Sequence, residues 1–143
     1  MPVYITTERL LIRNFATTDW KDLLEIAVDK ASSQYAVYDH KFPTGKSEVK
    51  AITNWFAGGS QYLAVCELST QKVIGFVCLS GENEKEKDIG YTFHSEYWGK
   101  GYGTEACTAA INYAFTVLNL ERITSGTANL NYPSVRLLLS LAL

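Results

Sequence analysis

The segment that most constrains the fold of this chain is residues 98–106, Trp-Gly-Lys-Gly-Tyr-Gly-Thr-Glu-Ala. Its three glycines alternate with larger residues and lead directly into an alanine-rich stretch of helical periodicity. Glycine lacks a Cβ, so its backbone adopts positive φ angles and comes close to a ligand. A helix that begins behind such a loop directs its free N–H groups and the positive end of its dipole toward the loop. The segment therefore predicts a phosphate-binding loop rather than a simple tight turn.

The composition is that of one ordinary globular domain spanning residues 1–143. Hydrophobic residues make up 47% of the chain, charged residues make up 20%, and the formal net charge is −2. Because there is no basic stripe, we expect no nucleic-acid partner. No apolar stretch approaches about 18 residues, and the N-terminus has no signal-peptide pattern. We therefore expect no membrane insertion and a cytoplasmic location.

The cysteines and histidines show neither disulfide nor metal-binding spacing. Cys66, Cys78 and Cys107 lie in apolar segments and form no C-x-x-C pair. We interpret them as buried, reduced thiols. The only histidines are His40 and His94, so we expect no metal site.

Hydrophobic periodicity and turn residues predict the element order β-α-α-β-β-β-α-β-α. The predicted strands are residues 9–14, 62–67, 73–80, 88–94 and 122–127. Four helices are predicted. Three follow N-cap candidates at residues 17–19, Ser47 and Ser134, and the fourth covers residues 104–118. The charged residues 82–87 are predicted to form a solvated turn. This order predicts an α/β (α+β) fold with a mixed, mostly antiparallel sheet and helices on both faces.

The glycines also satisfy a second pattern, the dinucleotide-binding fingerprint, as Gly101-x-Gly103-x-x-Ala106 with Glu121 further on. In that fold the glycines follow a strand immediately, whereas here residues 95–98 intervene and an antiparallel hairpin comes first. We keep a dinucleotide-dependent oxidoreductase as the less favoured alternative.

Residues 98–103 resemble the acyl-CoA-binding motif of the GNAT superfamily of N-acetyltransferases, Gln/Arg-x-x-Gly-x-Gly/Ala. Trp98 stands where that motif has Gln or Arg. Residues 7–13, 89–91, 97–106 and 131–134 further resemble the branch that acetylates ribosomal-protein N-termini. The resemblance covers nearly the whole chain. It implies transfer of an acetyl group from acetyl-CoA to a primary amine, with a protein α-amine favoured over a small amine.

The resemblance also implies how the co-substrate acetyl-CoA is held. Backbone N–H groups of the loop would bind the diphosphate, and the preceding strand would pair with the pantetheine arm and polarise the thioester. Lys100 either adds a charge or simply faces water. Asn131 would either hydrogen-bond the arm or serve as a turn residue before Pro133. The implied cofactor-binding residues are Tyr91, Thr92, Phe93, Gly99, Lys100, Gly101, Tyr102, Gly103, Thr104 and Asn131.

Two residues are candidates for catalysis. Ser134 matches a serine proposed in this branch to protonate the leaving thiolate, although it is equally a good helix N-cap. An α-amine has a pKa of about 8, so a weak base acting through water suffices to deprotonate it. Asp88 is the first candidate for that base, followed by Glu86 and His94.

The resemblance extends less far at the C-terminus. Members usually carry a Leu-Gly-Phe followed by two antiparallel strands, whereas this sequence reads Ala142-Leu143 at that point. We accordingly expect a C-terminally short domain that lacks this strand pair. Its last strand would have an uncovered edge through which a homodimer forms. An alternative is a homologue that binds acetyl-CoA and acetylates only weakly.

Overall fold

A six-stranded sheet, in which each strand neighbours the next one along the chain, organises the protein. The computed structural model describes residues 2–32, 43–81 and 83–124. The strands are β1 (Tyr4–Thr6), β2 (Leu10–Asn14), β3 (Tyr62–Glu67), β4 (Val73–Ser80), β5 (Glu86–Phe93) and β6 (Arg122–Thr124). Strands β1 to β5 pair antiparallel, and β5 pairs with β6 in parallel. The prediction of a mixed, mostly antiparallel sheet is confirmed.

In the part of the chain that the structure describes, three α-helices cover the two faces of the sheet. Helices α1 (Trp20–Ser32) and α2 (Lys46–Ala57) share a core with Phe15 and Phe76. Helix α3 (Tyr102–Thr116) packs on the opposite face. Placement of helices on both faces is therefore confirmed.

The closeness of α3 to the sheet follows from its small side chains. Ala106, Ala110 and Ala114 recur every four residues, and each is fully buried. Because alanine adds little bulk, the helix axis approaches the strands closely, and Cys107 is buried beside the alanines.

Several element boundaries differ from the sequence predictions. Strand β1 was not predicted, since three residues that alternate in exposure are too short to show a period. Ser47 is not the N-cap of α2, because the helix begins at Lys46 and Gly45 has the extended cap conformation. Strand β5 begins at Glu86 rather than Asp88, so part of the predicted charged turn is strand. Its pairing with β6 outweighs the local preference of charged residues for a turn.

Two further boundaries shift by two residues. Helix α3 begins at Tyr102 instead of Thr104, directly behind the left-handed Gly101, and ends at Thr116. Of the predicted strand 122–127, the described part is Arg122–Thr124. The predicted last helix lies outside the described residues, and the homodimer stays a prediction.

The three cysteines are free and buried, as predicted. Burial raises the pKa of the Cys66 thiol to about 11 and that of Cys107 to about 12. No helix in the described part of the chain has the length and apolar character needed to cross a bilayer.

Candidate functional site

The glycine loop between β5 and α3 has the conformation that its sequence predicts. A 3-10 turn at Ser95–Tyr97 leaves β5, and two glycines with positive φ follow, Gly99 at 74° and Gly101 at 84°. Residues with a Cβ rarely adopt such angles, so both positions require glycine. Gly101 is the N-cap of α3, which places the loop directly at the positive end of that helix.

The loop presents a row of backbone donors. The first hydrogen bond of α3 runs from the Glu105 N–H to the Gly101 carbonyl at 3.0 Å. Five preceding N–H groups donate to no acceptor among the described residues; they belong to Gly99, Lys100, Gly101, Tyr102 and Gly103. Unsatisfied N–H groups at a helix N-terminus form a binding site for an anion such as a phosphate.

Residues of the turn between β1 and β2 hold the far side of this loop. The Arg9 guanidinium donates from Nη1 to the Lys100 carbonyl at 2.9 Å and from Nε to Glu105 Oε1 at 2.7 Å. Glu105 Oε2 accepts from the Arg9 N–H at 2.9 Å and from the Thr7 hydroxyl. Burial opposes ionisation of Glu105, but these hydrogen bonds outweigh it and lower the pKa of its carboxyl. The carboxylate therefore stays charged and ties α3 to the β1–β2 turn.

The side chain of Tyr102 points to the end of the sheet. Its hydroxyl donates to Glu67 Oε2 at 3.0 Å, and the Arg9 guanidinium carbon lies 4.2 Å from its ring centroid. The hydrogen bond to Glu67 raises the pKa of Tyr102. Glu67 and Arg9 thus fix the orientation of the Tyr102 side chain.

The start of the loop is fixed by a different set of residues. The Trp98 indole Nε1 donates to the Phe93 carbonyl at 2.9 Å, so it binds the last residue of β5. Asp29 of α1 accepts from the Ser95 N–H at 2.8 Å and from its hydroxyl. The loop is thus anchored at both ends, by α1 on one face and by β2 and α3 on the other.

Residues 9–142 match the profile of a family described as "Acetyltransferase (GNAT) domain". This chain belongs to the GNAT acetyltransferase family. It is 32% identical to an N-acetyltransferase of Bacillus subtilis, YnaD, itself uncharacterised, over 95% of this chain and 79% of that protein.

Solved structures share the fold. A GNAT-family acetyltransferase from Bacillus anthracis superposes with a TM-score of 0.87 at 26% identity, covering 97% of this chain and 82% of that one. The ribosomal-protein-S5-alanine acetyltransferase of Vibrio fischeri superposes with a TM-score of 0.83 at 22% identity, covering 97% and 81% respectively. The alternative of a dinucleotide-dependent oxidoreductase is wrong, because the chain belongs to an acetyltransferase family.

In this GNAT chain, strand β5 before the loop is paired along only part of one edge. Within the described residues, β6 pairs with β5 only at Glu86, Lys87 and Asp88. Beyond Asp88, β5 has β4 on one side and no described strand on the other. Phe93 is buried in the α3-side core and Tyr91 packs against that core, whereas Thr92 pairs with Phe76 of the other core.

The candidate base of this GNAT chain lies at the other end of β5. Asp88 is exposed, and its Oδ1 accepts a hydrogen bond from the Thr124 hydroxyl at 2.8 Å. Glu86 lies beside it, with Oε1 3.8 Å from Arg122 Nε. His94 is instead part of the loop anchor, because its Nδ1 accepts from the Glu96 N–H at 3.2 Å.

Two other predicted residues, Asn131 and Ser134, lie outside the described residues. The exposed Lys100 has its Nζ 5.8 Å from the Tyr97 ring centroid.

Sequence reasoning missed the anchoring residues of this GNAT loop, namely Thr7, Arg9, Asp29 and Glu105. The contact between Arg9 and Glu105 joins positions 96 residues apart, so no local spacing indicates it. The available signal was an acidic residue in the first turn of a helix behind a glycine loop, where a carboxylate also favours the helix dipole.

Proposed function

We propose that this chain transfers the acetyl group of acetyl-CoA to a primary amine, and that the preferred acceptor is a protein N-terminal α-amine. The observation that carries the proposal is the row of N–H groups from Gly99 to Gly103, which donate to no acceptor among the described residues. These donors lie at the positive end of α3, where a diphosphate is stabilised by both hydrogen bonds and the helix field. Membership of the acetyltransferase family supports coenzyme A as the molecule that carries this diphosphate.

The pantetheine arm would run along the edge of β5 that β4 does not occupy. Tyr91 and Phe93 would direct backbone groups to that edge, and their side chains pack on the α3-side core, whereas the Thr92 backbone faces Phe76 of β4. A fixed backbone N–H on this edge would polarise the thioester carbonyl and stabilise the negative charge that develops on its oxygen.

The reaction requires a neutral amine and a protonated leaving group. We assign Asp88 as the base that removes the amine proton through water, since its carboxylate is exposed and oriented by Thr124. The amine nitrogen then forms a bond to the acetyl carbon and the C–S bond breaks. Ser134 would return a proton to the coenzyme A thiolate.

The α-amine preference rests on two arguments. An α-amine with a pKa of about 8 is partly neutral at pH 7, whereas a lysine amine with a pKa of about 10.4 is almost wholly protonated. Such an acceptor suits a weak carboxylate base. A structural neighbour is also named as a ribosomal-protein-S5-alanine acetyltransferase, although at 22% identity this likeness concerns the fold.

The direct test is calorimetric titration with acetyl-CoA, followed by a free-thiol assay with peptides that have Ser or Ala at the N-terminus. Gly101→Glu should weaken acetyl-CoA binding by about 3 kcal/mol, because it strains a positive φ and forces a side chain against the Arg9 guanidinium that holds the loop. Gly59→Glu is the matched control, since a Cβ at Gly59 meets nothing within 4 Å.

Asp88→Asn separates binding from turnover. We expect kcat to fall by about 100-fold, in line with the loss of a general base, while the affinity for acetyl-CoA stays unchanged. An unaltered kcat in Asp88→Asn would refute the assignment of Asp88 as the base and would leave the rest of the proposed function standing. A wild-type protein that fails to bind acetyl-CoA would refute the proposed function.

A further inference from the structure

Arg9 and Glu105, which we call the anchor, determine the direction of one N–H group of the loop. Arg9 donates to the Lys100 carbonyl at 2.9 Å. The peptide group joining Lys100 to Gly101 is planar and trans, so its N–H points opposite to its carbonyl. A carbonyl held toward Arg9 therefore directs the Gly101 N–H away from Arg9, to the side of the loop that the anchor leaves open.

The guanidinium is itself held in one orientation. Its Nε donates to Glu105 at 2.7 Å, and its plane lies over the Tyr102 ring at 4.2 Å from the centroid. On its other edge, Nη2 lies 3.3 Å from the position that a Cβ at Gly101 would take. The side chain is consequently fixed by a carboxylate, an aromatic ring and the loop backbone at once.

We infer that Arg9 and Glu105 are positioning residues for the donor site, which aim the Gly101 N–H at the diphosphate of coenzyme A. This inference rests on the proposed function. It differs from a direct role for Arg9 as a phosphate-binding charge, because Glu105 already neutralises the guanidinium. What Arg9 supplies is a rigid fork that binds a carboxylate and a backbone carbonyl simultaneously.

The test compares coenzyme A affinity in wild type, Arg9→Met and Arg9→Lys. Arg9→Met removes the hydrogen bond that orients the Lys100 carbonyl, so we expect the affinity to fall about tenfold, the effect of one charge-assisted hydrogen bond. Arg9→Lys keeps the charge without the planar fork and should bind nearly as weakly as Arg9→Met. The KM for the acceptor amine should stay unchanged in both variants.

Arg13→Met, near the far end of β2, provides a matched control. Arg13 also donates to a carboxylate, that of Asp19 at 2.8 and 3.0 Å, and to a main-chain carbonyl, that of Asn14 at 2.9 Å. These contacts lie at the opposite end of β2 from the loop. Arg13→Met should lower the thermal stability of the protein and leave coenzyme A affinity within about twofold of wild type.

Backbone 15N relaxation of the ligand-free protein tests the positioning role without coenzyme A. In Arg9→Met, the order parameters of the Gly99 and Gly101 amides should fall from about 0.85 to below about 0.6, whereas Arg13→Met should leave them unchanged. Unchanged order parameters in Arg9→Met would overturn the inference, as would wild-type affinity in either Arg9 variant. Failure of wild type to bind coenzyme A would instead refute the proposed function, and relaxation would still decide the role of Arg9.

Discussion

At the scale of single residues, the loop glycines differ in what surrounds them. A Cβ at Gly99 would meet nothing within 4 Å, whereas one at Gly101 would approach Arg9 Nη2 at 3.3 Å. Both have positive φ, so both are glycine for conformational reasons. Gly101 is in addition limited by Arg9 beneath it, and Gly103 lies in the first turn of α3.

Cys107 gives a prediction about alkaline stability. The side chain is fully buried, and desolvation raises the pKa of its thiol from an ordinary value of 9.0 to about 12. Because the folded-state pKa is raised, the neutral thiol stabilises the fold below pH 9.0, and this stability is lost as pH rises toward about 12. Cys107→Ala should lower the free energy of unfolding by about 1 kcal/mol at pH 7.

The same variant should lose less stability between pH 9 and pH 11 than wild type, since one thiol contributes at most about 1.4 kcal/mol per pH unit. Urea denaturation of both proteins at several pH values measures the difference, and the tyrosines titrate alike in both. Parallel stability profiles would show that Cys107 does not stay neutral in the folded protein.

At the scale of elements, Gly75 determines how closely β4 approaches β5. An added Cβ would lie 2.4 Å from Phe93 Cδ1 and 2.5 Å from the Thr92 carbonyl oxygen. Opposite Gly75, the β3–β4 register shifts between Val65 and Cys66. The end of β5, along which the pantetheine arm would run, therefore packs against Gly75 because that residue has no side chain.

Gly75→Ala should lower the free energy of unfolding by about 1–3 kcal/mol, the usual cost of overpacking. It should also weaken acetyl-CoA binding, because Phe93 and the end of β5 must move. Denaturation and calorimetry check the two effects, with Gly59→Ala as a control at a site open to solvent. A Gly75→Ala variant as stable as wild type would mean that β5 can move away from position 75 without cost, which would contradict this prediction.

The elements also show which features the sequence could predict. The hairpin of β3 and β4 has the predicted bounds, because two apolar runs flank a short polar turn. The loop was predicted since glycine requirements are local. In contrast, the start of β5 at Glu86 depends on pairing with Arg122, a contact between distant segments. The same holds for Arg9 and Glu105, whose meeting depends on how α3 packs against β2.

At the scale of the whole molecule, the loop connects the two faces of the sheet. Asp29 reaches its start from the α1 face, while Arg9 and Glu105 hold its end from the β2 and α3 side. A ligand seated on the loop would therefore be coupled to both hydrophobic cores. Binding should stabilise the entire fold rather than the loop alone.

This coupling predicts a thermal shift with coenzyme A. A ligand that binds only the folded state adds about 2.7 kcal/mol of stability at 100 times its Kd. For a chain of 143 residues, this corresponds to a rise in Tm of roughly 10 °C. Differential scanning fluorimetry with acetyl-CoA should show the rise in wild type and in Gly59→Glu but not in Gly101→Glu, and NADH should cause none. An equal rise for Gly101→Glu would place the binding site away from the loop, because a side chain at a positive φ and against Arg9 must distort the loop backbone.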